Sequence, residues 1–202
     1  MSLATTKEIL IPARAGKYAV SAFEVWNLES VQAVITAAEE LNQPTILQVG
    51  PLEAAHAGLE DISHIALYHA RRAGVPIAIH LDHGNSFEMV MQCINHGFTS
   101  VMLDVSHLPF EQNLAATKEV VRAAHACGVT VEGELGRIGG EEAGIDVTSE
   151  DTYLTDPDEA VRFVRESGSG FRYNVSGFFT RPRAEAVKLV KDKIRLFAGL
   201  KN

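Results

Sequence analysis

The chain has 202 residues, 46% of them hydrophobic, enough to bury the core of one ordinary globular domain or at most two small ones. A formal net charge of -8 and the lack of any basic cluster argue against a nucleic-acid partner, whose binding rests on Lys and Arg neutralising phosphates. The opening stretch Met1 to Gly16 sets Lys7 and Glu8 within a short apolar run, which fits neither a signal peptide nor a spanning helix, so no membrane partner is expected and the chain reads as cytoplasmic.

From Tyr18 onward short β-rich runs alternate with longer helical patterns. "YAVSAFEV" precedes a helix over Leu28 to Leu41, in which Val31, Val34, Ile35, Ala38 and Leu41 recur at helical spacing. "PTILQVG" leads to a helix from about Leu59 to Ala73, and "VPIAIHLDHG" to one from Ser86 to His96. "TSVMLDVS" is followed by Pro109 through Cys127, then "GVTVEGELG", a glycine-rich loop and a helix from Asp156 to Ser167. Pro44 and Pro76 open strands, and Gly74, Gly97 and Gly128 fall where helices should stop. Ser169 to Ser176 reads as a sixth strand and Arg181 to Phe197 as a closing helix. Cys93 and Cys127 sit inside helical patterns and read as two buried structural thiols, without a disulfide.

Continuous apolar strands separated by helices imply a parallel sheet covered on both faces, either a (β/α) barrel or a doubly wound sheet. In both, the site lies at the carboxyl ends of the strands, where the polar residues gather. In the third strand Ile77, Ile79 and Leu81 point one way and Ala78, His80 and Asp82 the other, with His83 just beyond. Asp104, Glu132 and Glu134 reach the same rim from the next two strands. So many acids are costly together unless a cation neutralises them or they share protons, so a metal site and a solvated acidic rim both stay open. His80, one residue deeper, reads as a hydrogen-bonded histidine that orients its neighbours. The loop "GRIGGEEAGID" has the glycines of a lid that brings a carboxylate over a substrate, or of a plain surface loop.

Taken in order, "SAFEVWNLE", "PTILQVGP", "HLDHG", "GFTSVMLDVSH" and "TKEVVRAAHACGVTVEGELGRIGGEE" resemble the zinc-dependent class II ketose-bisphosphate aldolases, from near the N-terminus to about Gly168. The resemblance implies a single α/β domain over residues 1–202, a TIM (β/α)8-type barrel reduced to about six units, with residues 169–202 resembling the last strand and C-terminal helix. It implies reversible cleavage of fructose- or tagatose-1,6-bisphosphate to dihydroxyacetone phosphate and glyceraldehyde 3-phosphate, with Zn2+ and a second divalent or a monovalent cation as cofactors. By position His83 matches a zinc ligand, Asp104 and Glu134 match carboxylates of a second or alternative cation position, and Asp82 matches the acid that exchanges a proton with the aldehyde oxygen. Glu142 matches the lid group that moves the proton on the dihydroxyacetone phosphate carbon, and Asn174 a phosphate-side asparagine. The family also implies a homodimer.

The chain departs from the family at identifiable places. The family's motifs like "GTxHG" and "HGGSG", each with a zinc histidine, have no counterpart, and no histidine follows His125. Glu24 and Gly50 stand where asparagine and serine are usual, and Gly177 where threonine is. The alternative expectation is therefore a shortened relative that binds phosphosugar, or only dimerises, without turnover.

Overall fold

The computed structural model describes residues 2–136, 140–142, 145–147 and 156–169. Helix α1 (Thr6–Gly16) comes first, opened by a reciprocal cap in which Glu8 N–H donates to Thr5 Oγ1 and Thr5 N–H to Glu8 Oε2, at 3.2 and 2.8 Å. No element is assigned there from the sequence, and Pro12 lies inside the helix, where it removes a backbone donor. The cap and burial of Ile9 and Ala13 hold it nonetheless.

Five strands, β1 (Ala22–Glu24), β2 (Thr45–Val49), β3 (Ile77–Gly84), β4 (Ser100–Leu103) and β5 (Thr130–Gly133), form one parallel sheet in chain order. Helices α2 (Leu28–Leu41), α3 (Pro51–Ala57), α4 (Leu59–Ala70), α5 (Phe87–Asn95) and α6 (Phe110–Ala126) make the crossovers. The expected β/α alternation is thus present, with one extra break. Gly58, at φ 83°, ends α3 and starts α4, a turn for which its lack of a Cβ suits it. The expected helix ends hold at Gly97 and Gly128, whose φ values are 88° and 73°.

The third strand divides its side chains as its alternation requires. Ile77, Ile79 and Leu81 join Val31, Val34, Ile62 and Val101 in the main core between sheet and helices. Ala78 turns to the other face, where it meets Ile46, Ala4 and Ile9. Ser2 O accepts from Ile77 N–H at 2.6 Å and Ala4 N–H donates to Ile77 O at 2.9 Å, so the N-terminal segment is pinned at the start of β3. Helix α1 therefore covers the inner face at the end of the strands opposite their exits.

After β5, strands β6 (Gly140–Glu142) and β7 (Ile145–Val147) pair antiparallel, so the glycine-rich segment contains a short hairpin. Helix α7 (Pro157–Ser167) packs on α6 through Phe163, which is fully buried and meets Phe110 edge-on at 6.0 Å. The expected strand Ser169–Ser176 beyond its first residue, and the helix Arg181–Phe197, lie outside the described residues. Cys93 is buried, its thiol pushed up to about 12 by desolvation. Cys127 is exposed instead, because it occupies the turn that leaves α6 just before Gly128. Among the described residues no helix is long and apolar enough to cross a membrane.

A Cβ added at Gly133 would meet Phe163 Cε1 at 2.6 Å, whereas one at Gly128 meets nothing within 4 Å. Gly133→Ala is therefore expected to destabilise the chain by about 1–3 kcal/mol through overpacking, and Gly128→Ala by about 1–2 kcal/mol through its left-handed backbone alone. Urea denaturation checks this, and the Gly133 penalty should shrink when Phe163→Leu makes room, while the Gly128 penalty should not.

Candidate metal centre

The site grows out of an irregularity in β3. Its pairing with β4 shifts register between Leu81 and Gly84, and at this bulge His83 takes φ 48°, a left-handed conformation uncommon outside glycine. Such a residue costs about 1–3 kcal/mol unless its surroundings fix it. Here they do. A Cβ at Gly84 would lie 2.5 Å from Met102 O, so β3 closes on β4 immediately after the bulge only because that residue is glycine. Asp104 N–H then donates to Gly84 O at 2.8 Å and fixes the start of the next loop.

The bulge brings His83 round to the carboxylates of the neighbouring strands. Its Nδ1 lies 2.8 Å from Asp104 Oδ2 and 3.5 Å from Glu134 Oε2. Asp104 divides its oxygens, since Oδ1 accepts from Ser106 N–H at 3.1 Å and leaves Oδ2 for His83. Glu134 is steadied by its backbone, whose carbonyl accepts from Asn113 Nδ2 at 2.8 Å; Asn113 comes from the buried face of α6. One ligand atom each from His83, Asp104 and Glu134 lies within 4.8 Å of the others. Asp82, 4% exposed, precedes His83 on the strand.

The electrostatics follow from that geometry. Burial pulls His83 towards neutrality, but the Asp104 hydrogen bond and the charges of Asp82 and Glu134 outweigh it and raise the imidazole to about 9. Asp104 is also opposed by desolvation, yet its bonds to His83 and Ser106 hold it below the usual carboxylate range. Glu53 moves upward, first through burial, partly countered by hydrogen bonds from its own N–H and that of Gly50, and then through the charge of Asp82. This glutamate was missed in the sequence, although "GPLE" carries the signal: a proline opening α3 and a carboxylate two positions later that accepts from Gly50 N–H at 3.0 Å.

An imidazole nitrogen and two carboxylate oxygens converging in a partly buried mouth suit a divalent cation, and zinc accepts this donor chemistry with three protein ligands and an open position. The expected trio His83, Asp104 and Glu134 is thus brought together, with Asp82 beside it. Glu142 ends β6, and its side chain lies outside what is described; Asn174 lies outside the described residues altogether.

Residues 4–174 match the family described as class-II fructose-bisphosphate aldolase. A fructose-bisphosphate aldolase from Thermus caldophilus is 46% identical over 169 residues, covering 84% of this chain and 55% of the relative. One from Geobacillus stearothermophilus is 46% identical over 171 residues, covering 83% and 59%. The crystal structure of the YdjI aldolase from Escherichia coli K12 superposes with a TM-score of 0.72 at 36% identity, covering 83% of this chain and 59% of that one. The chain thus spans little more than half the length of these relatives. The five parallel strands and their helices form an α/β fold of the kind found in class II aldolases, which are (β/α)8 barrels. With most of its length matched at this level, the chain belongs to the class-II fructose-bisphosphate aldolase family.

Proposed function

We propose that the chain is a cytoplasmic class II ketose-bisphosphate aldolase, cleaving fructose- or tagatose-1,6-bisphosphate reversibly to dihydroxyacetone phosphate and glyceraldehyde 3-phosphate. The observation that carries this reading is the convergence of His83, Asp104 and Glu134 beside Asp82 at one strand exit. His83 would hold Zn2+, with Asp104 and Glu134 as the carboxylates of the same or an alternative cation position, and a homodimer is the working assembly. When bound, the metal supplies Lewis-acid stabilisation of the negative charge that carbon–carbon cleavage leaves on the dihydroxyacetone phosphate half.

The remaining work falls to the chain's own groups. Asp82 takes the proton from the C4 hydroxyl in cleavage and returns it to the aldehyde oxygen in condensation, which suits a carboxyl group next to the metal ligands. Glu142, carried by the glycine-rich hairpin, moves the proton at the dihydroxyacetone phosphate carbon that loses its partner. Asn174 contacts the phosphate side. Closure of that hairpin over the mouth excludes water, which strengthens each of these interactions.

A second reading, a phosphosugar-binding relative without turnover, is favoured by the donor set itself, with one imidazole among the three groups that converge. Purified chain loaded with zinc separates the two. On the aldolase reading it binds about one metal per chain at this site and releases dihydroxyacetone phosphate, and a chelator stops release. Bound ketose bisphosphate without product would favour the second reading.

Asp82→Asn is expected to lower kcat by about 100-fold or more while metal content, measured by mass spectrometry, stays constant. His83→Ala is expected to lose the metal and cleavage together. Glu142→Ala should abolish the solvent exchange of a carbon-bound proton of dihydroxyacetone phosphate, followed by NMR in deuterated water, with metal content retained; exchange at the original rate would remove Glu142 from this role.

A further inference from the structure

Below the metal centre, the inner face of the sheet carries a polar line that the reactions above leave unused. His80 on β3 is fully buried, at 0% exposure. Its Nδ1 lies 2.8 Å from Ser100 Oγ on β4, and Ser100 Oγ lies 3.0 Å from Thr6 Oγ1 on α1. Its Nε2 faces Glu132 Oε2 at 3.5 Å and Asp82 Oδ1 at 3.7 Å. Thr6 and Ser100 are themselves buried, so water competes poorly for these contacts.

For a neutral ring, counting protons along the line gives its direction. A carboxylate offers acceptors only, so the ring nitrogen turned towards two of them is the one that carries hydrogen. In a neutral imidazole Nδ1 is then an acceptor, and Ser100 O–H donates to it. The Ser100 oxygen in turn accepts from Thr6 O–H. With the ring neutral, all three hydrogens point from α1 towards the strand exits. The opposite tautomer would set a nitrogen lone pair against two carboxylates inside the protein, where unfavourable polar contacts are expensive. At 3.5 and 3.7 Å the N–H lies between Glu132 Oε2 and Asp82 Oδ1 and attracts both.

We propose that Thr6 and Ser100 lock His80 in its Nε2–H tautomer, and that His80 is thereby a positioning residue, holding Asp82 beside Glu132 at the mouth of β3. The inference rests on the aldolase reading only for what Asp82 does once it is placed. Positioning of this kind matters because a displacement of about 1 Å at a reacting group can cost on the order of 100-fold in rate. It also ties the N-terminal helix, through Ser100, to the catalytic end of the sheet.

The test begins with the full chain labelled with 15N at histidine. His80, assigned by loss of its signals in His80→Gln, should show a protonated Nε2 and an acceptor Nδ1, with a through-space contact from the Nε2 proton to the Cβ protons of Asp82. In Ser100→Ala the two ring nitrogens should move towards a tautomer average. An Nδ1–H ring in the unsubstituted chain, or no contact with Asp82, overturns the proposal whether or not the chain turns over. Kinetics supply the second arm. His80→Leu should lower kcat by about 10- to 100-fold with KM and zinc content unchanged, and His80→Gln, whose amide nitrogen can stand near Nε2, should recover most of that loss. Equal loss in both variants, or a loss that follows zinc content, counts against positioning. If the unsubstituted chain cleaves no ketose bisphosphate, the aldolase reading fails alone, and the tautomer and the Asp82 contact still decide this one.

Discussion

The left-handed backbone at His83 is the constraint on which the mouth of the sheet depends. An undisturbed strand would send alternate side chains to opposite faces, placing Asp82 inward and His83 outward among the helices. The bulge breaks that rule for one residue and swings the imidazole back to the rim, so adjacent positions in the chain serve the same site. Gly84 makes the departure tolerable by letting β3 come within backbone contact of Met102. The dipeptide is thus a single device, in which the histidine carries an imidazole to the rim and the glycine gives it the space to turn.

Along the inner face, polarity rises from the start of the strands to their exits. Ala4, Ile9, Ile46 and Ala78 pack together where α1 closes the bottom. One layer up, Gln48 and His80 stand side by side in register with Glu24, and Ser100 follows on β4. Above them lie Asp82, Glu132 and Glu134. The outer face has no such gradient, being apolar from Phe23 on β1 through Leu47, Ile79 and Val101 to Val131 on β5. The outer layer therefore provides most of the apolar burial, which leaves the inner layer free to hold groups that would weaken an ordinary core.

This division explains what could be read from the residues and what could not. Alternation in "IAIHLD" and the proline and glycine punctuation are local signals, and the parallel sheet with its crossover helices follows from them. The trio at the rim was legible because three strand exits each carried a charged group, and parallel pairing aligns exits. Helix α1 carries a local start signal in Thr5 and Glu8 that was passed over, and with Pro12 inside it much of its hold comes from Ile9 against Ile46 and Ala78, residues far away in the chain. The exposure of Cys127 turned on one step of helix termination. Asn113 and Ser100 gave no signal at all, since a lone asparagine in a helix and a serine opening a strand acquire meaning only from what stands opposite.

The charge balance of the mouth sets the terms on which a cation enters. Asp82, Asp104 and Glu134 surround one imidazole whose pKa they raise to about 9, so near neutral pH a proton occupies a nitrogen that a metal would need. The same carboxylates attract both, and metal affinity is therefore a difference between two large terms rather than a count of ligands. Adding a carboxylate strengthens the hold on the proton together with that on the metal. A further neutral imidazole would strengthen mainly the metal, because it brings no negative charge to raise the pKa of His83. A set of one imidazole and two carboxylates also sits between the preferences of zinc and those of harder divalent ions, so discrimination depends on the shape of the pocket. The backbone bulge, by fixing where Nδ1 lies relative to Asp104 and Glu134, would then determine which ion could be held as much as the side chains themselves.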